Sequence, residues 1–387
     1  MKIAIYNEAR GGVGGSEFCS AVLAEAFSHD HDVAIVHHNH QLTKERIEEL
    51  FSVRLDRVTL QYHAHDPSCW GNSRGPWRRS RELRAWQSAL SAGTDLFIAF
   101  AHGIPPFCHA KRGVLVVLFP LFDRRNQWPW GEPSPNALSW AGLQRRYFDW
   151  QWRRRMATYQ VKWAISDFTA EWTRRRWGID CQVVYPPADN GFKRVAKERL
   201  IVSVGRFTPL KKQLDMLLAF STVARSDLKD WHYCCIGGLG ESESDREYFR
   251  KLEDIARQCG AELLPNADRT TVRRTLERAG VFWHAMGLGE DQQRTPELLE
   301  HFGICTVEAM AAGCVPVVIN RGGQAEIVQN GLNGFVWDET SQMLRFTTQL
   351  AADEDLRSRM SDAACRRAKC FDRQRFTEAF VSHLTCR

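Results

Sequence analysis

Leu200-Ile201-Val202-Ser203-Val204-Gly205-Arg206-Phe207-Thr208-Pro209-Leu210-Lys211-Lys212 is the stretch whose reading decides the fold. A short apolar run closes on a glycine, and residues 214–224 then take helical spacing. That pattern is a buried parallel strand feeding a crossover helix. Downstream it repeats. Residues 231–236 form an apolar strand ending in Gly237-Gly238, 247–259 a helix, and 281–285 and 315–319 strands on either side of a helix at 307–312. Upstream the strands are 2–6, 32–37, 95–100, 113–118, 161–165 and 182–185, with a helix over 17–27. Ser166-Asp167 caps another helix over 168–177. Pro186-Pro187 stops the first series before residue 200 starts the second. Alternation of this kind predicts an α/β chain with two Rossmann-like, doubly wound parallel sheets, joined by a linker at 186–198. Residues 60–93 are less regular. Ligands of such folds bind at the carboxyl ends of the strands, over helix N-termini, so the chemistry is expected in a cleft there.

The whole-chain balance is that of a globular protein: 387 residues, 44% hydrophobic and 25% charged. That length suits two domains. Met1-Lys2-Ile3-Ala4-Ile5-Tyr6 reads as a strand rather than a signal peptide, and no run of about 18 apolar residues occurs. The expectation is a cytoplasmic protein. The 12 cysteines include no CxxC pair; Cys234-Cys235, Cys305 and Cys314 lie in or beside apolar segments, as reduced thiols do. The formal charge of +6 is mild, but arginine clusters with tryptophan. The dense spots are Trp77-Arg78-Arg79-Ser80-Arg81, residues 145–155 and Arg174-Arg175-Arg176-Trp177. Two readings stay open: solvated helix faces with the aromatics turned inward, or a surface for anionic lipid or a phosphate-bearing acceptor. No nucleic-acid motif accompanies the charge.

Three constellations carry chemistry. Gly11-Gly12-Val13-Gly14-Gly15-Ser16-Glu17 follows the first strand and opens the first helix, where free N–H groups suit an anion. A dinucleotide site would want a carboxylate at the end of the second strand; His37-His38-Asn39-His40 stands there instead, which counts against NAD. Arg206 and Lys211 place two cations five residues apart beside a strand end, a pair able to neutralise a diphosphate. In Glu300-His301-Phe302-Gly303-Ile304-Cys305-Thr306-Val307-Glu308, one glutamate precedes a glycine turn and the other sits just inside the following helix. Both can then face one cleft and accept hydrogen bonds from sugar hydroxyls.

These segments, in this order, resemble the retaining glycosyltransferases of glycosyltransferase family 4, which have the GT-B architecture. The matching residues are Gly14-Gly15-Ser16-Glu17, Val184-Tyr185-Pro186-Pro187, Gly205-Arg206 with Lys211, and Glu300 to Glu308 followed by Ala309-Met310-Ala311-Ala312-Gly313. Gly322-Gly323-Gln324-Ala325-Glu326-Ile327-Val328 and Asn333-Gly334-Phe335 match as well. The resemblance implies an acceptor-binding domain over 1–190, a nucleotide-sugar domain over 191–370, and a last helix over 371–387 that crosses back. It implies that Glu300 faces the donor sugar and Glu308 the ribose, and that Phe302, Gly303 and Ile304 offer backbone N–H groups. Arg206 and Lys211 would bind the diphosphate, and Gly14 and Gly15 would let the first domain close on it. No cofactor and no metal are expected, the cation pair taking the metal's part. The expected partners are an NDP-sugar, GDP-mannose or a UDP-sugar, and a glycan, glycolipid or small-molecule acceptor, with no nucleic acid. A peripheral contact with the inner membrane face is a further expectation.

One departure stands out. Many members of the family it resembles carry a histidine after the strand at 113–118, whereas this chain reads Leu118-Phe119-Pro120-Leu121. His102, ending the preceding strand, is a candidate replacement or else a structural histidine, and His284 is a candidate for the donor pocket. Retention implies attack on the face the diphosphate leaves from, through a loose oxocarbenium-like transition state. The rival readings are an epimerase or phosphorylase of the same fold and a silent nucleotide-sugar or membrane-surface module.

Overall fold

The computed structural model describes residues 1–8, 14–40, 42–63, 85–124 and 140–385. They form two compact units, Met1–Tyr185 and Pro186–Arg387. The first holds a seven-stranded sheet of order β3-β2-β1-β4-β5-β6-β7. Its strands are β1 (Lys2–Asn7), β2 (Asp32–His37), β3 (Val58–Tyr62), β4 (Leu96–Ala101), β5 (Arg112–Val117), β6 (Val161–Ala164) and β7 (Gln182–Val183). The second holds a six-stranded sheet of order β10-β9-β8-β11-β12-β13. Its strands are β8 (Glu198–Val204), β9 (His232–Gly237), β10 (Glu262–Pro265), β11 (Ala279–His284), β12 (Val315–Ile319) and β13 (Phe335–Trp337). Every pairing is parallel, as crossover helices require. The strand order reverses between β1 and β4 in one sheet and between β8 and β11 in the other, so each unit has one switch point where loops diverge and leave a crevice.

Burial explains why the central strands read so clearly. All six residues of β4 and of β11 are buried, so both sheet faces are covered. In the second unit Phe220, Tyr233 and Trp283 pack on one face, with Trp283 Nε1 donating to Thr347 Oγ1 at 2.9 Å. The expected elements lie within a few residues of the observed ones: the helix expected at 307–312 is Ile304–Ala311, and Ser166 caps Asp167–Trp177 by accepting from the Thr169 N–H. Strands β3, β10 and β13 were not foreseen. They are short edge strands, half exposed or only three residues long, and carry too little apolar pattern to be seen.

The stretch expected as a linker, 186–198, is packed on the second unit. Ala188 N donates to Phe371 O at 2.8 Å and Lys193 N to Glu277 Oε1 at 2.7 Å. The reading of solvated helix faces with the aromatics turned inward holds only in part. On the helix Asp167–Trp177, Trp172 and Trp177 turn inward; on the helix Trp140–Ala157, Phe148 and Trp152 turn inward while Tyr147 and Trp150 face outward. The Trp77–Arg81 cluster and Gly11, Gly12 and Val13 of the glycine loop lie outside the described residues. Every described cysteine is a free thiol, and burial pushes Cys235 and Cys314 up to about 11. No described helix is long and apolar enough to cross a membrane.

Candidate active site

At the switch point of the second sheet, β8 ends in a turn that brings Gly205 N to Ile236 O and Phe207 N to Gly238 O, both at 2.9 Å. Gly237 must be glycine, because a Cβ there would overlap the Gly205 carbonyl. The turn runs into the short 3-10 helix Pro209–Lys211, and Lys212, at φ 57°, breaks into the helix Gln213–Val223. Lys211 is thereby aimed at the loop that follows β11. Its Nζ lies 2.6 Å from Glu300 Oε2. His284, the last residue of β11, places Nε2 3.0 Å from the same oxygen.

The charge states follow from this geometry. Burial alone would raise the Glu300 carboxyl, but Lys211 and His284 outweigh it and hold it well below the usual carboxylate range. Burial lowers His284 below its ordinary value, and Glu300 only partly opposes that. At neutral pH the imidazole is therefore neutral, and its Nε2–H donates to Glu300. Its Nδ1 is then an acceptor with no partner among the described residues.

The loop carrying Glu300 is held by a second pair of glycines. Gly323 N donates to Glu300 O at 2.8 Å, and a Cβ on Gly322 would overlap that same carbonyl. Phe302 is buried against Phe371, with ring centroids 5.5 Å apart, which anchors the loop from below. Gly303 at φ 117° then turns the chain into the helix Ile304–Ala311. Glu308 lies on that helix, buried, with Arg269 Nη2 2.6 Å from its Oε1. Arg269 also reaches Asp189 at 3.3 Å, and Arg273 reaches Asp189 at 2.6 Å. Burial would raise Asp189, but the Gly191 N–H and the arginines outweigh it and lower the carboxyl. Burial, and then the nearby Glu308 carboxylate, push the Cys305 thiol up to about 12.

Lys211 and His284 thus meet on Glu300, while Glu308 pairs with Arg269 on the helix that follows, with Phe302, Gly303 and Ile304 forming the turn between the glutamates. Arg206 follows β8 on the exposed side of its turn and makes no ion pair among the described residues. Sequence reading missed Arg269, Arg273 and Asp189. Arg269 opens a helix capped by Asp268, and nothing in the pattern of that stretch separates it from an ordinary surface arginine.

The remaining candidates belong to the first unit. His102 follows β4, and Glu8 follows β1 across the switch point. Glu8 Oε1 accepts from His102 N at 2.5 Å and Gly103 N at 2.9 Å. The His102 ring bonds to the backbone of Phe119, and burial lowers its pKa to about 4. Phe119 itself is fully buried and stacked on Phe168 at 5.9 Å, so it is a core residue. Gly14 caps the helix Gly15–Phe27, and its N–H is taken by Glu17 Oε2 at 2.8 Å.

Residues 188–367, all within the second unit, match the family model described as Glycosyl transferases group 1. The chain is 24% identical over 230 residues to the Dictyostelium discoideum GDP-Man:Man(3)GlcNAc(2)-PP-Dol alpha-1,2-mannosyltransferase, covering 54% of this chain and 43% of that one. It is 32% identical over 124 residues to the sucrose synthase of Melioribacter roseus, covering 30% and 14%. The chain therefore spans less than half the length of these curated relatives. Solved structures match over its whole length, two of which serve as examples. A glycosyltransferase from Rickettsia africae has a TM-score of 0.72 at 14% identity, covering 100% of this chain and 99% of that one. Anabaena HepE in complex with UDP and glucose has 0.67 at 13%, covering 100% of both. At such identities the likeness establishes the fold, which is the two-sheet α/β fold of GT-B glycosyltransferases.

Proposed function

We propose that the protein is a retaining hexosyltransferase of glycosyltransferase family 4, acting without a metal. It moves a sugar from a nucleotide-sugar donor to a glycan, glycolipid or small-molecule acceptor. The observation that carries this reading is the convergence of Lys211 and His284 on one oxygen of Glu300, with Glu308 a turn and a half of helix beyond Gly303. A structural ion pair needs no third partner, no glycine-shaped loop and no second buried glutamate.

In this reading a donor diphosphate, more highly charged than one carboxylate, draws the Lys211 ammonium across, with Arg206 beside it. Glu300 is then free to accept from the sugar hydroxyls, and His284 Nδ1 accepts from another. Glu308 accepts from the ribose hydroxyls. The bond between the anomeric carbon and the phosphate oxygen breaks, and the acceptor oxygen bonds to that carbon on the same face. The acceptor proton passes to the departing phosphate oxygen. Stabilising that leaving charge is the largest task, and Lys211 and Arg206 supply what a metal would otherwise do.

GDP-mannose is the favoured donor. Val184-Tyr185-Pro186-Pro187 and Glu300-His301-Phe302-Gly303-Ile304 support it, as does the activity named for the Dictyostelium relative. A UDP-sugar is the second reading, supported by the UDP complex of HepE. The test is thermal stabilisation by GDP, UDP, ADP and dTDP with EDTA present. A nucleotide at about 100 times its Kd adds about 2.7 kcal/mol. Stabilisation by GDP that Glu308→Ala abolishes supports the proposal. Stabilisation by UDP alone moves the donor to the second reading, and no stabilisation by any of them overturns the transferase. Product analysis with and without acceptor separates transfer from epimerisation or phosphorolysis.

A further inference from the structure

The helix Trp140–Ala157 has two unlike faces. Phe148 and Trp152 are buried and belong to the core of the first unit. On the opposite side Leu143, Tyr147 and Trp150 are 54%, 54% and 49% exposed. Their spacing of four and three residues puts them in one line along the helix. Large apolar side chains are normally scattered singly on a surface, so three in a row on one helix call for an occupant.

The charges beside the stripe indicate which occupant. Arg146 and Arg153 are exposed along one edge, and Arg154 lies within the stripe with its guanidinium 4.8 Å over the Trp150 ring. None of the three has an ion-pair partner among the described residues. The helix carries five arginines and one acid, and that acid, Asp149, faces away toward Arg124 at 3.5 Å. A protein partner with an apolar groove would explain the stripe but not the unmatched arginines. An acidic solute would explain the arginines but not the stripe. Tryptophan and tyrosine, apolar with one polar tip, flanked by arginines whose stems lie along the apolar surface, match the boundary between lipid headgroups and acyl chains.

We infer that the outward face of the helix Trp140–Ala157 docks on a membrane surface containing anionic lipid. The helix lies in the interface plane, with Leu143, Tyr147 and Trp150 among the acyl chains and Arg146, Arg153 and Arg154 at the phosphates. This inference stands on the helix alone and does not depend on the proposed transferase activity.

The test uses the full chain and sucrose-loaded vesicles, either pure phosphatidylcholine or phosphatidylcholine with about a third phosphatidylglycerol. Each arginine near an anionic surface contributes about 1 kcal/mol, so Arg146→Ser with Arg153→Ser lowers partitioning by a factor of about 10 to 30. Both residues are exposed, so this variant keeps the wild-type melting temperature. Trp150→Ser with Tyr147→Ser lowers partitioning similarly and leaves a weak, salt-sensitive association. Three results overturn the inference: equal sedimentation with both vesicle types, no sedimentation with either, or retention by the arginine variant of full binding. A concentration-dependent dimer that Trp150→Ser dissolves, without vesicle binding, assigns the face to a second copy instead.

Discussion

Arg269 carries the sharpest energetic claim about the site. Its guanidinium lies 2.6 Å from Glu308 and 3.3 Å from Asp189, and the three side chains are 24%, 7% and 11% exposed. Removing one partner of a buried pair costs about 3–5 kcal/mol, because the other charge stays desolvated and unmatched. Asp189 would keep Arg273 at 2.6 Å and the Gly191 N–H, so the loss falls mainly on Glu308 and lies near the lower figure. Arg269→Ala should therefore cost about 3 kcal/mol. For a unit of this size, 1 kcal/mol moves Tm by about 2–4 °C, so the drop is about 6–12 °C. Scanning calorimetry of the ligand-free protein measures it. The decisive comparison is Arg269→Met with Glu308→Gln, which leaves no lone charge and recovers about 2 kcal/mol or more of that loss. A single variant that melts within about 2 °C of wild type, or a double variant no better than the sum of its parts, refutes the claim that Arg269 holds Glu308.

The other cluster is expected to separate stability from turnover: Lys211→Met costs about 3 kcal/mol, Lys211→Met with Glu300→Gln recovers most of it, and both lose at least about a hundredfold in kcat, read by donor consumption. Stability should also depend on pH in a stated direction. His284, His102, His37 and His63 all have folded pKa values below 6.5 because of burial, with His102 near 4. The unfolded chain takes up protons below pH 6.5 while the folded chain does not, so Tm should fall as pH drops from 6.5 toward 4. Glu300 and Asp189, both depressed, then add a second loss below the unfolded carboxylate range. A flat Tm between pH 7 and 5 would contradict this, and His102→Gln should flatten part of the slope. Gly237→Ala forces a methyl into the Gly205 carbonyl and should cost at least about 2 kcal/mol in denaturant unfolding, whereas Gly260→Ala meets open space and suffers only the strain of φ 72°.

The site was legible where it depends on local chemistry. Glu300 and Glu308 flank a glycine turn that only glycine adopts readily, and the Gly205 turn and Lys211 follow a strand whose ends apolar residues mark. What escaped is what folding brings from elsewhere. Asp189 reads as part of a linker after Pro186-Pro187, and Arg269 and Arg273 as surface cations, until an 80-residue separation closes around Glu308. The same holds for Glu8, which nothing in its sequence context distinguishes until β1 and β4 set its carboxylate on the His102 and Gly103 amides.

By itself the sequence determined that there are two doubly wound parallel sheets, where each begins, and which glycines and charged residues crowd the strand ends. Burial on both faces makes such strands nearly continuous apolar runs, and turns need particular residues, so both are written locally. Only the tertiary structure decided which charge meets which, that Phe119 is core while His102 stands beside its backbone, and that Trp150 faces out while Trp152 faces in. Those outcomes depend on strand order and helix rotation, which are set by the summed packing of residues far apart in the chain.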